Sequence, residues 1–580
     1  MKTNILYIAA LSGTLALGSC SDWIDVNDDP NNATVETVTA DLLLTSVEND
    51  IAGERAGRLN TSATGGSNYY GWFNWSQQLT KSGDYSGSYV YLSGMVSNST
   101  FNSYWANRYE RIANIKNIKE KAVQEGNNAL LGIAQVLEVI EFRELVDIYG
   151  NVPYTEAALA AENLSPAYDD AETIYKALCA EIVEAESNLQ DGSLSAYGSA
   201  DIYFGGDKDE WVRYANSIEL SLLMRISNVS LFNEVNGSAR LKALEGNCIT
   251  ENATSNPGYY VGENKMSPQN YLWGHTYLWN GNYTSSRTSR RSTGRSQYDP
   301  TAEMVKFLRD TENPLLRVYA DPRESLKDSP YASYSSFGLG DEWYVGVPYG
   351  VNTPAQRAYV SLIGVGVVGT GSWNFDEDAS KDVIIYPKHI VDFYFAEAAL
   401  RGLIDGGDAK AKQYYEAGIT SLMQTYETAL QAEIPYKGAK EPISGTAAEA
   451  AADYYGQTSG TYSNLVNWDL MTTDDEKLEA INVQKWLGFY LLDPLESWSE
   501  IRRTDMPTWL HTSHQWNLSD LKLPARALYP QTEKALNPDN FNANEKTSIV
   551  NDLLFWDTKN PVREKAGENL NSKFLNGYEK

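Results

Sequence analysis

Cysteine is nearly absent from this 580-residue chain, occurring only at positions 20, 179 and 248. A disulfide framework is therefore excluded, and Cys179, set in an apolar helical register, reads as a small buried residue. Histidine is as scarce, with His275, His389, His511 and His514. Only the last two lie close together, and no acidic residue sits at metal-site spacing beside them, so neither zinc nor any cofactor is expected. Basic residues are the minority, 47 Lys and Arg against 76 Asp and Glu, for a net charge of -29. Without a basic footprint to meet phosphates, nucleic acid is excluded as a partner. A Gly-x-Ser-x-Gly elbow and a Walker loop are both missing, and no enzyme activity is read from the chain.

Long apolar runs are missing as well, except at the start. Ile5 to Leu17 is apolar, broken only by small residues, and is too short to cross the ~30 Å hydrocarbon layer of a bilayer. Preceded by Lys2 and followed by Leu17-Gly18-Ser19-Cys20, it reads as a signal peptide over residues 1–19 that ends at a lipoprotein cleavage site. Cys20 is then the acylated mature N-terminus, giving attachment to a membrane by a lipid anchor only. Residues 20–36, with Asp22, Asp25, Asp28 and Asp29 among Asn and Pro, read as a lipidated acidic tether. Asp25-x-Asn27-x-Asp29 resembles the start of a calcium loop, but Pro30 stands where such a loop needs Gly.

What the chain does have is aromatic surface: 12% of residues, with 39 Tyr and 15 Trp against 14 Phe. Tyr and Trp join a flat apolar face to a hydrogen-bonding edge, which suits cores, interfaces and sugar platforms alike. Apolar residues at helical spacing predict helices over 101–124 and 129–149, over 170–189 and 209–226, over 388–402 and 408–427, and over 446–455 with 474–490. Such pairs predict an all-α dominated superhelix of about four tetratricopeptide-like helical hairpins. Residues 253–300 and 325–380, crowded with Gly, Ser, Asn, Pro, Tyr and Trp, read as long functional loops. The expected organisation is 37–230 N-terminal helical with an aromatic loop at 60–95, 231–385 a loop-rich ligand-binding insertion, 386–503 C-terminal helical, and 504–580 irregular.

Several stretches, in order along nearly the whole chain, resemble the SusD/RagB family of surface glycan-binding lipoproteins. They are "DVNDDPN" at 25–31, "FRELVDIYGNVPYTEA" at 142–157, "FGGDKDEWVRYANSIELSLLMRIS" at 204–227, "FYFAEAALRG" at 393–402, "YYEAGI" at 414–419 and "QKWLGFYLLDPLESWSEIRRT" at 484–504. The resemblance implies a SusD-like superhelix with ligand-binding loops over one face. It also implies capture of oligosaccharides at the cell surface, outer-membrane localisation, and delivery to a SusC-like TonB-dependent transporter on which the protein acts as a lid. The motif residues themselves have plain scaffold readings: Gly150 stops a helix, Pro153 fixes the exit turn, and Glu496, Glu500, Arg502 and Arg503 pair or face water around a helix carrying Trp498.

A sugar ring packs its C–H bonds on an aromatic face and hydrogen-bonds planar amides and carboxylates. Three clusters offer both. The first, "NYYGWFNWSQQ", holds Asn68, Trp72 and Trp75, with core burial an equal reading for the two tryptophans. The second, "YLWGHTYLWNGNY", holds Trp273, Trp279, Asn282 and Tyr283, just before "YDPTAEMVKFLRDTENPLLRVYADPR" at 298–323, which looks like the family segment closing the binding loops. The third, "DEWYVGVPYG", holds Trp343 and Tyr344. Glycan capture is the favoured function; a peptide-binding lipoprotein on the same scaffold and a glycoside hydrolase are the alternatives.

Overall fold

A computed structural model describes residues 38–56, 68–81, 90–159, 163–260, 265–268, 298–323, 342–351, 360–369, 379–434 and 436–564. The N-terminal part contributes α1 (Ala40–Arg55), α2 (Asn68–Trp75), β1 (Leu79–Lys81), α3 (Asn102–Glu125), α4 (Asn128–Tyr149), α5 (Ala171–Gln190), α6 (Lys208–Arg225) and α7 (Gly237–Leu244). Next come β2 (Ala253–Ser255), β3 (Tyr298–Pro300), α8 (Ala302–Asp310) and β4 (Val383–Tyr386). The C-terminal part holds α9 (Lys388–Leu400), α10 (Gly407–Thr425), α11 (Ala447–Tyr455), α12 (Asp474–Gly488) and α13 (Pro494–Thr504). The fold is helix-dominated, as the spacing predicts, and all eight expected spans are helical.

The helices start where polar side chains satisfy free backbone N–H groups. Asn127 accepts from Leu130 N at the head of α4 and Asp170 from Thr173 N at the head of α5. Thr446 with Glu449 and Thr473 with Glu476 form reciprocal capping boxes on α11 and α12. Pairing then follows from small residues at the contacts. A Cβ at Gly132 of α4 would sit 2.8 Å from the Ala185 carbonyl oxygen of α5, and one at Gly418 of α10 would sit 2.4 Å from the Phe393 ring of α9. Any larger side chain would push either pair apart. Helices α3 to α6 pack consecutively, α9 packs on α10, and α6 meets α9 to join the two halves. The fourth expected pair divides: α11 lies against α10, while α12 lies against α9 and α13.

Charge is buried where the halves meet. Arg225, fully enclosed, contacts Glu496 at 2.5 Å, Glu500 at 2.7 Å and Asp147 at 3.3 Å. Glu500 also accepts from Lys485 and Arg503, which share Glu397 with it. A second cluster joins Arg55 to Glu144 and Asp493, and Arg108 to Glu144, Glu54 and Glu141. Burial alone would raise the Glu144 carboxyl, but Arg108, Arg55, Arg143 and Arg111 outweigh it and hold it at about 2. The motif residues Glu496, Glu500 and Arg503 therefore pair rather than face water, and Arg502 donates to the Asp147 and Ala525 carbonyls beneath the Trp498 ring. Cys179 and Cys248 are both buried and free, their thiols pushed up to about 12 by desolvation.

Candidate functional site

The loop-rich part is held to the helical body at one junction. After α2 the chain turns at Gln77 through a left-handed conformation (φ 59°) into β1, which pairs antiparallel with β3, Thr80 opposite Asp299. Thr301 anchors both strands, its Oγ1 donating to the Gln77 carbonyl (2.8 Å) and its N–H to the Gln78 carbonyl (3.2 Å). The 342–351 segment lies alongside: Val347 N–H donates to Pro300 O, and Ala302 N–H to Val347 O, both at 2.9 Å. Gly350 N–H donates to Thr80 Oγ1 (3.0 Å), Tyr349 Oη to Asn74 O (2.6 Å), and His514 N–H to Tyr349 O (3.1 Å). Gly350 adopts φ +81° with Ser513 Oγ 2.5 Å from where a Cβ would be, so a side chain there would meet both strain and a clash.

Lys81, Tyr298, Arg323 and Val351, each next in sequence to an undescribed segment, all lie in or beside this junction. Arg323 N–H donates to Trp343 O (2.8 Å) and Ser361 N–H to Val345 O (2.7 Å), tying the near ends of two of these segments together. The roots of the loop-rich part thus converge. Trp273, Trp279, Asn282 and Tyr283 lie outside the described residues, as does Cys20.

Trp343 stands half-buried at this edge. Gly438 (φ +78°) is pressed against its indole, where a Cβ would fall 1.9 Å from the ring, and Lys437 Nζ lies 5.5 Å from the ring centroid. Tyr344 beside it is buried, its hydroxyl accepting from Lys440 N–H at 3.0 Å, so it supports the turn rather than offering a face.

The first aromatic cluster is placed differently from an accessible platform. Trp72 is 2% exposed and sandwiched between Phe101 (5.0 Å, 10°) and Trp498 (5.1 Å, 13°). Trp75 is 1% exposed, packs on Trp498 at 4.8 Å and donates from Nε1 to Tyr91 O. Both rings are core, and burial is the reading that applies, because α2 docks on α13 and leaves neither ring face open. Asn68 is the first residue of α2.

Sequence reasoning missed Glu303. Its Oε1 lies 2.8 Å from His511 Nε2, and both residues are buried. They are 208 positions apart, so spacing carried no signal. The His511 ring meets Glu303 and Thr512 O, and His514 donates its backbone N–H to Tyr349 O. Among the described residues no group of three or more His, Cys, Asp or Glu is arranged to hold a metal ion, and no helix is long and apolar enough to cross a membrane.

The described residues thus form a helix-dominated superhelix with one strand-paired junction at its edge. Residues 30–530 match a family model, SusD-like, described as starch-binding and associating with the outer membrane. The chain belongs to this SusD-like family. Solved structures share the fold. A chitin-binding protein is 20% identical with a TM-score of 0.63 over 90% of this chain and 100% of its own. A chitin-binding SusD homologue from Flavobacterium johnsoniae is 18% identical, TM-score 0.62, over 89% and 99%. A SusD/RagB family protein from Bacteroides thetaiotaomicron is 17% identical, TM-score 0.65, over 90% and 99%. A search of curated proteins gives no significant match.

Proposed function

We propose that this protein captures oligosaccharides at the outer face of the outer membrane, held there by lipid on Cys20, and passes them to a SusC-like TonB-dependent transporter. The observation that carries this reading is the convergence of four loop roots on one junction, one of them leading directly into the segment that holds Trp273, Trp279, Asn282 and Tyr283. Trp343 at the same edge would extend the aromatic surface. Family membership and two chitin-binding relatives of the same fold support a glycan over other ligands. The protein acts by binding, with ring stacking supplying affinity and amide groups supplying orientation.

Calorimetry of the full mature protein against chito- and malto-oligosaccharides and a set of unrelated peptides tests the ligand class. Saturable heat with one glycan series, and no new products after prolonged incubation, is the expected result. Binding of peptides alone would move the assignment to the peptide alternative, and chain cleavage would move it to a hydrolase.

A further inference from the structure

The Glu303–His511 contact contains more than a hydrogen bond. His511 Nδ1 lies 3.0 Å from the Thr512 carbonyl oxygen, which can only accept, so Nδ1 carries a hydrogen. A neutral ring would then turn a lone pair from Nε2 toward Glu303 Oε1 at 2.8 Å, and two lone pairs do not sit that close. One additional proton must lie between them, as imidazolium with carboxylate or as imidazole with carboxylic acid; the two forms differ only in which side holds it.

That proton joins three separate stretches of chain. Glu303 is on α8 immediately after the β3 anchor Thr301. Its Oε1 also lies 3.5 Å from Tyr349 N in the 342–351 segment, and His511 N–H reaches back to Gln77 Oε1 at 3.3 Å. We propose that the proton shared by Glu303 and His511 is a clamp on the loop junction, closed in neutral and acidic media and loosened when the pair deprotonates as pH rises. With the proton gone, the ring and the carboxylate repel and the α8, 342–351 and 511–514 stretches lose their common tie.

The surrounding groups favour the closed form. Desolvation would by itself push the His511 imidazolium down, but the hydrogen bond and charge of Glu303, the Thr512 carbonyl and the charge of Glu564 outweigh it and raise it above the ordinary histidine value. Tyr349, whose ring centre is 6.0 Å away, has its phenol pushed up by burial and stays neutral. A group bound more tightly to its proton in the closed state contributes its full stability below the open-state value of about 6.5 and loses it as pH climbs through the raised one. The clamp does not depend on what the loops bind.

Hydrogen exchange of the full mature protein, read with and without variants, tests this. Corrected for intrinsic rates, protection of Ala302 and Val347 should fall by up to about tenfold per pH unit above about pH 6.5, while Leu137 and Val139 in α4 stay constant. Glu303→Gln and His511→Gln, each bringing an amide N–H of its own to the contact, should show no such slope. A flat wild-type profile, or the wild-type slope surviving in either variant, overturns the clamp. Nitrogen spectra of histidine-labelled wild type need no variant. At pH 7 the two buried rings should differ, His511 with both nitrogens protonated and His389 neutral, its imidazolium pushed by burial down to about 4. Two neutral buried rings, with fast exchange at Ala302, would equally overturn it.

Discussion

In the helical body Arg225 is ringed by Glu496, Glu500 and Asp147, and those carboxylates are shared in turn with Arg143, Lys485 and Arg503. In the loop junction Glu303 is paired with His511, and uncharged hydrogen bonds from Thr301, Thr80 and Tyr349 join the backbone pairing of two three-residue strands. Arginine and lysine keep their charge at every pH the protein meets, whereas histidine does not. The junction is built from fewer and weaker ties.

Changes in the body should be the costliest. Arg225→Ala would take one cation away from three buried carboxylates, and Trp72→Ala would empty the slot between Phe101 and Trp498. Each is expected to cost about 3–5 kcal/mol in chemical denaturation. Neither should alter ligand affinity of the fraction that remains folded; a Trp72→Ala protein of normal stability with lost affinity would place that ring in the site after all.

Trp273→Ala and Trp279→Ala test the opposite side of the comparison. Each should weaken glycan binding by about 1–3 kcal/mol in calorimetry while the melting temperature barely moves. If both variants melt early, these tryptophans belong to packing and the contrast between the regions fails there. The smallest effect is expected at Thr473→Ala, which removes one half of the α12 capping box and should lower stability by about 1 kcal/mol without touching affinity. A change in affinity would mean that α12 transmits strain to the junction, with which it shares the hydrogen bonds from Trp486 Nε1 to Ser76 O and from Gln78 Nε2 to Trp486 O.

Periodicity made most of the helical body legible. The runs that became α3 to α6 and α9 to α12 repeat apolar residues at helical spacing and end at breakers such as Gly126 and Gly150. Helix α1 carries the same signal at Ala40, Leu43, Leu44, Val47 and Ile51, all buried, and lies outside the eight expected spans. The junction was not legible, because its ties run between residues such as Thr80 and Gly350, or Glu303 and His511, which no local pattern connects. Nor could the sequence separate a core tryptophan from a platform. "GWFNW" offers the same aromatic faces in either role, and only the docking of α2 on α13 decides that Trp72 and Trp75 face inward.

The aromatic stack at Trp72 also constrains the order of events in the protein's biosynthesis. Trp72 needs Trp498 above it, Arg55 needs Asp493, and Gln78 needs the Trp486 carbonyl, so the N-terminal helices are completed by residues made more than four hundred positions later. A nascent chain emerging from the ribosome holds those aromatic and charged groups without their partners, and contacts of such long sequence separation form slowly. Until residues 486–503 have been synthesised the first helices have no finished core to settle into.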